Sequence, residues 1–285
     1  MIRIAGILLL TVAFSACAQT GESFKSPAGY DLGKPVTYKM PEDLFEISGI
    51  AFHEGKADVL YAEQDEDGKI FALKPGDATA SHVKFAGHGD YEDIAITSNY
   101  VIMMRSDGVF YTIPFSEVQQ GRAEQVKELK GLIPPGEYEG MAANYSADEV
   151  YVVCKNCGAD KKTGSVTGYI LKLDAAGSLS LDKTFKINTN KIAALTGAKK
   201  IRFKPSALTF NKHSKEWFLL SSVNKMLVVT DTAWNIKQVY NLNPALFNQP
   251  EGITFDIDNN LYISNEGGNT KYGTVLKFPF GNPGK

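Results

Sequence analysis

The stretch PEGITFDIDNNLYISNEGG, Pro250–Gly268, is one copy of a pattern that runs through the whole chain. A glutamate and a glycine precede a short apolar run, turn-forming residues follow it, and a second apolar run, LYIS, comes next. Short runs rich in β-branched and aromatic residues, separated by turn residues, predict a β-hairpin. A buried strand rarely begins with a carboxylate, so Glu251 needs an explanation.

The same pattern occurs five times. Its copies are ISGIAF from Ile47, YEDIAI from Tyr91, YEGMAA from Tyr138, PSALTF from Pro205 and PEGITF from Pro250. We call the second residue of each copy a mouth position: Ser48, Glu92, Glu139, Ser206 and Glu251. Successive mouth positions are 44, 47, 67 and 45 residues apart. The long interval contains KINTNKIAALTGAKK, which predicts a short helix over Asn190–Thr196 that ends at Gly197.

The repeat predicts the fold. Each of the first four copies opens four short strand-like runs, and four antiparallel strands in about 45 residues is the size of a propeller blade. The last copy has three runs, and the spare strand in Tyr30–Met40 can supply the fourth and close the ring. We therefore expect an all-β fold, a five-bladed β-propeller of four-stranded antiparallel blades whose last blade is closed by the N-terminal strand. A β-sandwich would not explain the fixed interval.

Composition narrows the function. The chain has 285 residues, of which 44% are hydrophobic, and its 30 basic and 32 acidic residues give a net charge of −2. This is an ordinary globular mixture, long enough for a large core. No basic face is evident, so we expect no nucleic-acid partner. Four histidines leave little scope for a histidine-based metal site or catalytic triad.

The N-terminus predicts export. Arg3 precedes an apolar run, Ile4–Phe14, that is too short to span a membrane and is typical of a signal peptide. Ser15 and Ala16 then precede Cys17, as at the site where bacterial lipoproteins are cleaved and lipidated. A plain secretory signal is the alternative.

These features divide the chain into three parts. We expect a lipoprotein signal peptide over residues 1–16, a flexible tether over residues 17–29 and a propeller domain over residues 30–285. The lipid on Cys17 would attach the protein to a membrane of the cell envelope. Ala18 favours the outer membrane, on either its periplasmic or its surface face.

Two cysteines remain after Cys17, in the sequence CKNC at Cys154 and Cys157. A zinc ribbon would need a second such pair, and a thioredoxin-type site would need a helix at this point. We therefore expect a local disulfide in an oxidising compartment.

The mouth positions predict a site. The first strand of every propeller blade lies beside the central axis, so the five mouth positions should gather at one end of the channel. The second strands end there too, and they add polar side chains. The resulting candidate ligand-binding residues are Ser48, Arg105, Lys155, Ser206, Asn265 and Glu266.

The three glutamates Glu92, Glu139 and Glu251 would repel one another, at about 3 kcal/mol per pair for a separation of ~5 Å and an effective dielectric of roughly 20. A bound Ca²⁺, which takes roughly six to eight oxygen ligands, would offset this. Protonation of one carboxylate or salt bridges to Arg105 and Lys155 are other solutions. Alternatively, each glutamate accepts backbone N–H bonds from the neighbouring blade.

The order Ser-Gly, Glu-Asp, Glu-Gly, Ser-Ala, Glu-Gly at the mouth positions resembles that of the SdiA-regulated family of bacterial propellers, which are similar to NHL-repeat propellers. The second-strand endings VCK, LSS and ISNE match as well, and the resemblance runs from Val36 to Phe280. It implies five blades and a calcium site. Asp93 departs from the small residue found after the other mouth positions.

Two functions are consistent with these features. One is a monomeric, lipid-anchored binding propeller that holds Ca²⁺ and a small-molecule, glycan or peptide ligand at the mouth. The alternative is a calcium-dependent hydrolase, similar to lactonase or phosphoesterase propellers. A hydrolase needs a base, and His88 is the one histidine expected at the glutamate end; it is better explained as a solvated loop residue.

Overall fold

The computed structural model describes residues 24–144, 148–161 and 163–281. The predicted signal peptide, the lipidation site Cys17 and the first part of the tether lie outside the described residues. The described end of the tether is held against the fold, since Pro27 is buried and the Gly29 carbonyl accepts a hydrogen bond from the Gly281 N–H at 2.9 Å.

Five sheets, each of four antiparallel strands, form the molecule. The first blade contains β2 (Ile47–Phe52), β3 (Leu60–Gln64), β4 (Asp67–Leu73) and β5 (Ser81–His88). The second contains β6 (Tyr91–Ile96), β7 (Tyr100–Arg105), β8 (Phe110–Pro114) and β9 (Lys127–Leu129). The third contains β10 (Gly136–Asn144), β11 (Glu149–Cys157), β12 (Ser165–Leu173) and β13 (Leu179–Asn188).

The fourth blade contains β14 (Ala207–Asn211), β15 (Glu216–Ser221), β16 (Met226–Thr230) and β17 (Ile236–Asn241). The fifth contains β18 (Pro250–Phe255), β19 (Leu261–Asn265), β20 (Thr274–Phe278) and, at its outer edge, β1 (Val36–Lys39). The inner strands β2, β6, β10, β14 and β18 adjoin one another in a ring. The predicted five-bladed propeller is confirmed.

The ring is closed as predicted. Strand β1 pairs antiparallel with β20, with Val36 opposite Lys277 and Lys39 opposite Thr274. Without β1, β20 would present an unpaired edge to solvent. The predicted closure by the N-terminal strand is therefore confirmed.

Among the described residues, two α-helices lie outside the sheets, one within the second blade and one between the third and fourth blades. Helix α2 spans Asn190–Thr196 and ends at Gly197, which adopts a left-handed φ of 72°, as the sequence predicts. Helix α1 (Phe115–Gln119) follows Pro114, where the sequence suggests a continuing strand; a proline cannot donate to the sheet, so β8 ends there. Three 3₁₀ turns span Glu42–Leu44, His53–Gly55 and Gly158–Asp160. Among the described residues, no helix is long and apolar enough to cross a membrane.

The core lies between neighbouring blades. Between the third and fourth blades, for example, Val153 and Ile187 pack with Leu208 and Leu219, and all four are buried. Full burial of such a side chain contributes roughly 1.5–3 kcal/mol. The alternation of apolar residues in each strand therefore holds each blade to its neighbours.

The glycine after a mouth glutamate has a steric cause. A Cβ atom on Gly252 would overlap the Ser48 carbonyl of the first blade, and one on Gly140 would lie 3.0 Å from the Ala207 carbonyl carbon of the fourth. The inner strands approach each other so closely at this level that only a small residue fits. The Glu-Gly pair thus combines an inter-blade contact with a carboxylate at the channel mouth.

Candidate functional site

The mouth residues are displaced from the regular ladder. The strand register shifts at four of the five mouth positions, which are Ser48, Glu92, Glu139 and Glu251. Such β-bulges leave one residue unpaired and redirect its side chain. Glu92 and Glu251 lie in blades that are not neighbours, yet their charges act on each other, so they converge across the channel. We call this end of the channel the acidic mouth.

The two mouth serines connect blades. Ser48 Oγ donates to the Glu92 carbonyl at 3.3 Å, and Ser206 Oγ donates to the Pro250 carbonyl at 3.0 Å. Both serines are buried. Their hydroxyls thus join the first blade to the second and the fourth to the fifth.

The hydrogen bonds of Asp93 explain why it stands where the other copies of the repeat have a small residue. It is buried, and its carboxylate accepts the Met141 N–H of the third blade at 2.6 Å and the Ile94 N–H at 2.8 Å. Burial raises its pKa well above the usual range, although these bonds lower it. A mouth glutamate is expected to accept a backbone N–H bond from the next blade. In the second blade the adjacent Asp93 accepts this bond instead.

Lys155 is the cation nearest to the glutamates. Its ammonium forms an ion pair with the buried Glu139 carboxylate and a second one with Glu137 at 3.5 Å. Its charge also lowers the pKa values of Glu92, Glu251 and Glu266. One lysine thus acts on five carboxyl groups, two of them through ion pairs.

Glu92 is strongly perturbed by its surroundings. Burial, followed by the charge of Asp90, raises the pKa of Glu92 to about 9, although the charge of Lys155 opposes the change. The charges of Glu251 and Asp65 add to the increase. Glu92 therefore holds its proton at neutral pH unless another cation is present.

The fifth blade contributes two further carboxylates. Burial raises the pKa of Glu251, whereas hydrogen bonding to Ser222 and the charge of Lys155 lower it. Burial, followed by the charge of Glu251, raises the pKa of Glu266 to about 7. Gln249 Nε2 donates to Glu266 Oε2 at 2.5 Å, which orients that carboxylate.

Several buried polar atoms at this end have no hydrogen-bond partner in the described parts of the chain. They are Glu63 Oε2, Asp65 Oδ1 and both polar atoms of the Asn265 carboxamide. Buried polar atoms are normally paired, so a group without a partner indicates a missing ligand, ion or water. Asn265 lies at the end of β19, opposite Pro250, beside the glutamate of the same blade.

The other predicted residues have different partners. Arg105 Nη2 pairs with Asp107 at 2.6 Å, and Nη1 donates to the Tyr111 hydroxyl at 3.5 Å, so Arg105 does not neutralise the glutamates. His88 lies at the end of the outermost strand of the first blade, with its side chain 86% exposed and its Nδ1 3.1 Å from Asp67 Oδ1. It lies apart from the channel axis.

Cys154 and Cys157 are joined by a disulfide on either side of Lys155. Together with Asp160 they are the one group of metal-ligating residue types, among the described residues, whose ligand atoms lie within 4.8 Å of one another. Disulfide sulfurs are poor metal ligands, because a metal requires the thiolate. The three glutamates stand around Lys155 at wider spacing.

Three charged residues of the mouth are not evident from the repeat. Asp65 follows β3 directly, and Glu46 precedes β2; the charge of Glu46 raises the pKa values of Asp65 and Glu266. Burial, the largest cause, raises the pKa of Asp65 to about 6. Lys225, a second cation, acts on Glu251. Glu266 is predicted because polar residues at the ends of second strands lie at the mouth. Asp65 follows Gln64, the last residue of the second strand β3, so the same reasoning could have found it.

Comparison with known proteins gives a family and a fold. A family model described as SdiA-regulated matches residues 38–272. No curated protein matches the chain. Among solved structures, a glutaminyl cyclase from Myxococcus xanthus has 10% identity and a TM-score of 0.57, with 85% of this chain and 93% of that chain covered. A luciferin-regenerating enzyme has 10% identity and a TM-score of 0.52, with 86% and 95% covered. At such low identity, the likeness shows the fold alone.

Proposed function

Because the chain belongs to the SdiA-regulated family, we propose that it is an exported, lipid-anchored propeller that binds Ca²⁺ at its acidic mouth. Its role is that of a binding protein, with the cation and the neighbouring polar side chains receiving a small-molecule, glycan or peptide ligand. Cys17 carries the lipid, and the outer membrane is the membrane to which it is attached.

One observation supports the calcium proposal above all others, namely the crowding of buried and half-buried carboxyl groups around a single lysine. Glu92 has a pKa of about 9 and Glu266 one of about 7, mainly because both are buried. Lys155 is shared among these carboxylates and is already paired with Glu139. A divalent cation would lower both pKa values by stabilising the ionised carboxylates.

The donor chemistry fits calcium. The acidic mouth offers carboxylate oxygens from Glu92, Glu139 and Glu251 and the partnerless carboxamide oxygen of Asn265. Hard cations prefer such oxygens, whereas zinc prefers histidine and cysteine. Calcium also tolerates a wide and irregular ligand shell, unlike magnesium. In this proposal, calcium competes with the Lys155 ammonium for the same carboxylates.

Thermal melting tests this proposal. Wild type is first treated with EDTA and then melted with and without added Ca²⁺. A ligand that binds only the folded state at a hundredfold excess over Kd adds about 2.7 kcal/mol to the free energy of unfolding. We expect Glu251→Gln to remove most of this gain while it preserves the fold. The matched control is Glu124→Gln, an exposed carboxylate far along the chain from any mouth position.

Equal melting temperatures of EDTA-treated wild type with and without calcium would contradict the metal proposal. A calcium gain that survives in Glu251→Gln, Glu92→Gln and Glu139→Gln alike would place the metal elsewhere. In the absence of calcium, Glu251→Gln should be neutral or stabilising, because it removes one of the repelling carboxylates.

The hydrolase alternative has less support. The chain has four histidines, and their placement leaves none beside the glutamates. His53 and His213 lie in segments between first and second strands, at the opposite end, and His82 and His88 belong to the outer strand β5. The two solved structures described above are enzymes by name, but at 10% identity they carry no residue-level argument.

A further inference from the structure

A cavity lies at the other end of the channel, opposite the acidic mouth. Its volume is about 880 Å³, and its wall is formed by the inner strands of all five blades together with adjoining turns. Ligand-binding cavities commonly measure roughly 300–1,000 Å³. We call it the apolar chamber.

The floor of the apolar chamber is a ring of five equivalent residues. In every blade the lining begins two residues after the mouth position and includes neither that position nor the next one. The five residues of the ring are Ile50, Ile94, Met141, Leu208 and Ile253. All are at least 95% buried. The cavity lining thus stops short of the mouth residues in every blade.

The residue that follows each member of this ring has a small side chain, which leaves room for the cavity. These five residues are Ala51, Ala95, Ala142, Thr209 and Thr254. The Thr209 and Thr254 side chains are half-buried and lie on adjacent inner strands. Within the described chain, their hydroxyls form no hydrogen bond with another group of the protein. They are therefore available to a ligand.

One wall of the chamber is aromatic. The rings of Tyr151 and Trp217 lie 4.5 Å apart between their centroids, and Trp217 stacks on Trp234 at 4.8 Å with an interplanar angle of 21°. All three line the cavity. Tyr151 is half-buried and belongs to the third blade, whereas Trp217 belongs to the fourth. Both tryptophans are buried, so the half-buried Tyr151 ring is the face that this wall offers to another flat group.

The rim exposes apolar surface. Ile257 is 74% exposed and Phe280 is 37% exposed, and both border the opening. The nearby Asp256 carboxylate is engaged by Asn260 at 2.7 Å and by the Tyr262 hydroxyl at 3.0 Å. Charged residues such as Glu54, Lys212 and Asp258 border the same opening, so the rim is mixed, whereas the interior of the cavity is lined mainly by apolar side chains. An apolar interior of this kind fits an apolar ligand.

We propose that the apolar chamber binds a neutral small molecule with a flat ring system and a hydrogen-bond-accepting oxygen. The ring system packs between the Tyr151–Trp217 wall and the small residues opposite it. The oxygen accepts hydrogen bonds from the Thr209 and Thr254 hydroxyls. Because the cavity lining includes no mouth residue in any blade, this ligand binds without contact with the acidic mouth and without calcium.

A polarity-sensitive fluorophore, 6-propionyl-2-(dimethylamino)naphthalene, is a suitable probe. It is neutral and flat, and it carries one ketone. Trp217 and Trp234 are the two tryptophans of the chain, so a probe in the chamber quenches most of the intrinsic tryptophan emission by energy transfer. We expect saturable binding of one probe per protein, with the same affinity in EDTA and in calcium.

Two kinds of variant locate the probe. Thr209→Phe and Thr254→Phe fill the chamber, and each should weaken probe binding at least tenfold. The control Ala78→Phe adds the same ring at an exposed loop position and should change the affinity less than twofold. The isosteric pair Thr209→Val and Thr254→Val should together weaken binding about fivefold and shift the probe emission to the blue, because the ketone loses its donors.

Circular dichroism and melting establish which variants are folded. If both phenylalanine variants are unfolded, the valine pair decides. The proposal is overturned if wild type shows no saturable quenching, or if folded filling variants bind the probe as wild type does. Unchanged affinity and emission in the valine pair would refute the hydrogen-bonding part. None of these outcomes depends on calcium, so they are independent of the metal proposal.

Discussion

The Lys155 ammonium forms an ion pair with the buried Glu139 carboxylate, across the β10–β11 pair of the third blade. Glu139 stands on a β-bulge, and Lys155 lies between two cysteines that are bonded to each other. Both partners are therefore held in place by backbone features. The pair brings a protein cation into the group of carboxylates for which we propose calcium.

Removal of Lys155 should destabilise the calcium-free protein and increase the stabilisation that calcium gives. In EDTA, Lys155→Met should lower the free energy of unfolding by about 3 kcal/mol, because it leaves a buried carboxylate without its partner. With calcium, the gain in melting temperature should exceed that of wild type, because no ammonium competes. Urea unfolding in EDTA and calcium titrations measure the two effects.

The double variant Lys155→Met/Glu139→Gln is the control for this prediction. It removes both charges, so in EDTA it should recover most of the lost stability. If the single and double variants are equally unstable, the loss comes from packing of the lysine stem and not from the unpaired charge.

Glu63 should make stability depend on pH. It is fully buried, its Oε1 accepts the Gly49 N–H at 2.6 Å, and burial raises its pKa well above 4.5. The folded state therefore retains a proton that the unfolded chain releases, and stability falls as the pH rises above 4.5, by at most about 1.4 kcal/mol per pH unit.

The comparison of wild type with Glu63→Gln isolates this effect. The glutamine side chain is neutral at every pH. Between pH 5 and pH 8 in EDTA, the free energy of unfolding of Glu63→Gln should therefore depend on pH less steeply than that of wild type, by at most about 1.4 kcal/mol per pH unit. Glu124→Gln should follow wild type. Parallel profiles for wild type and Glu63→Gln would show that the folded protein ionises Glu63 without cost.

Much of the fold is predictable because it is periodic, whereas much of the site is not. Five mouth positions define the blades, at intervals of 44 to 47 residues with one longer interval of 67, and local signals define α2 with its terminal glycine. The partners of Asp93 and Lys155 depend on contacts between strands and blades, which no local pattern encodes. For the same reason, the sequence suggested Arg105 as a partner of the glutamates, although it pairs with its own neighbour Asp107.

Deletion of β1 should open the ring. A variant that lacks residues 18–40 loses the four residue pairs between β1 and β20 and the buried Met40. We expect a clear loss of stability in urea and concentration-dependent association, because β20 becomes an exposed edge. Light scattering and urea unfolding measure both effects.

A shorter deletion, of residues 18–23, is the matched control, since it retains β1 and the buried Tyr30. It should behave as full-length mature protein does. A monomeric variant of wild-type stability after deletion of residues 18–40 would mean that β1 is dispensable for closure.

Cys17→Ser tests the proposed lipid anchor. If Cys17 is lipidated, cells that express the wild-type gene incorporate labelled palmitate into the protein, and the serine variant remains unlabelled. The serine variant should also accumulate as an unprocessed precursor or as a soluble exported form. Undiminished labelling of Cys17→Ser would show that the lipid is attached elsewhere or that the sequence before Cys17 acts as a plain secretory signal.

The pairing of β1 with β20 also constrains the order in which the molecule can fold. Strand β1 is synthesised before β20 and cannot pair until β20 is available, and closing so long a loop is slow relative to forming a hairpin. Until then the first blade can form from adjacent segments, while the fifth remains incomplete at its outer edge. We therefore expect closure of the fifth blade to be the final and rate-limiting event of folding. A chain released before β20 has emerged would have to be protected from pairing with its neighbours.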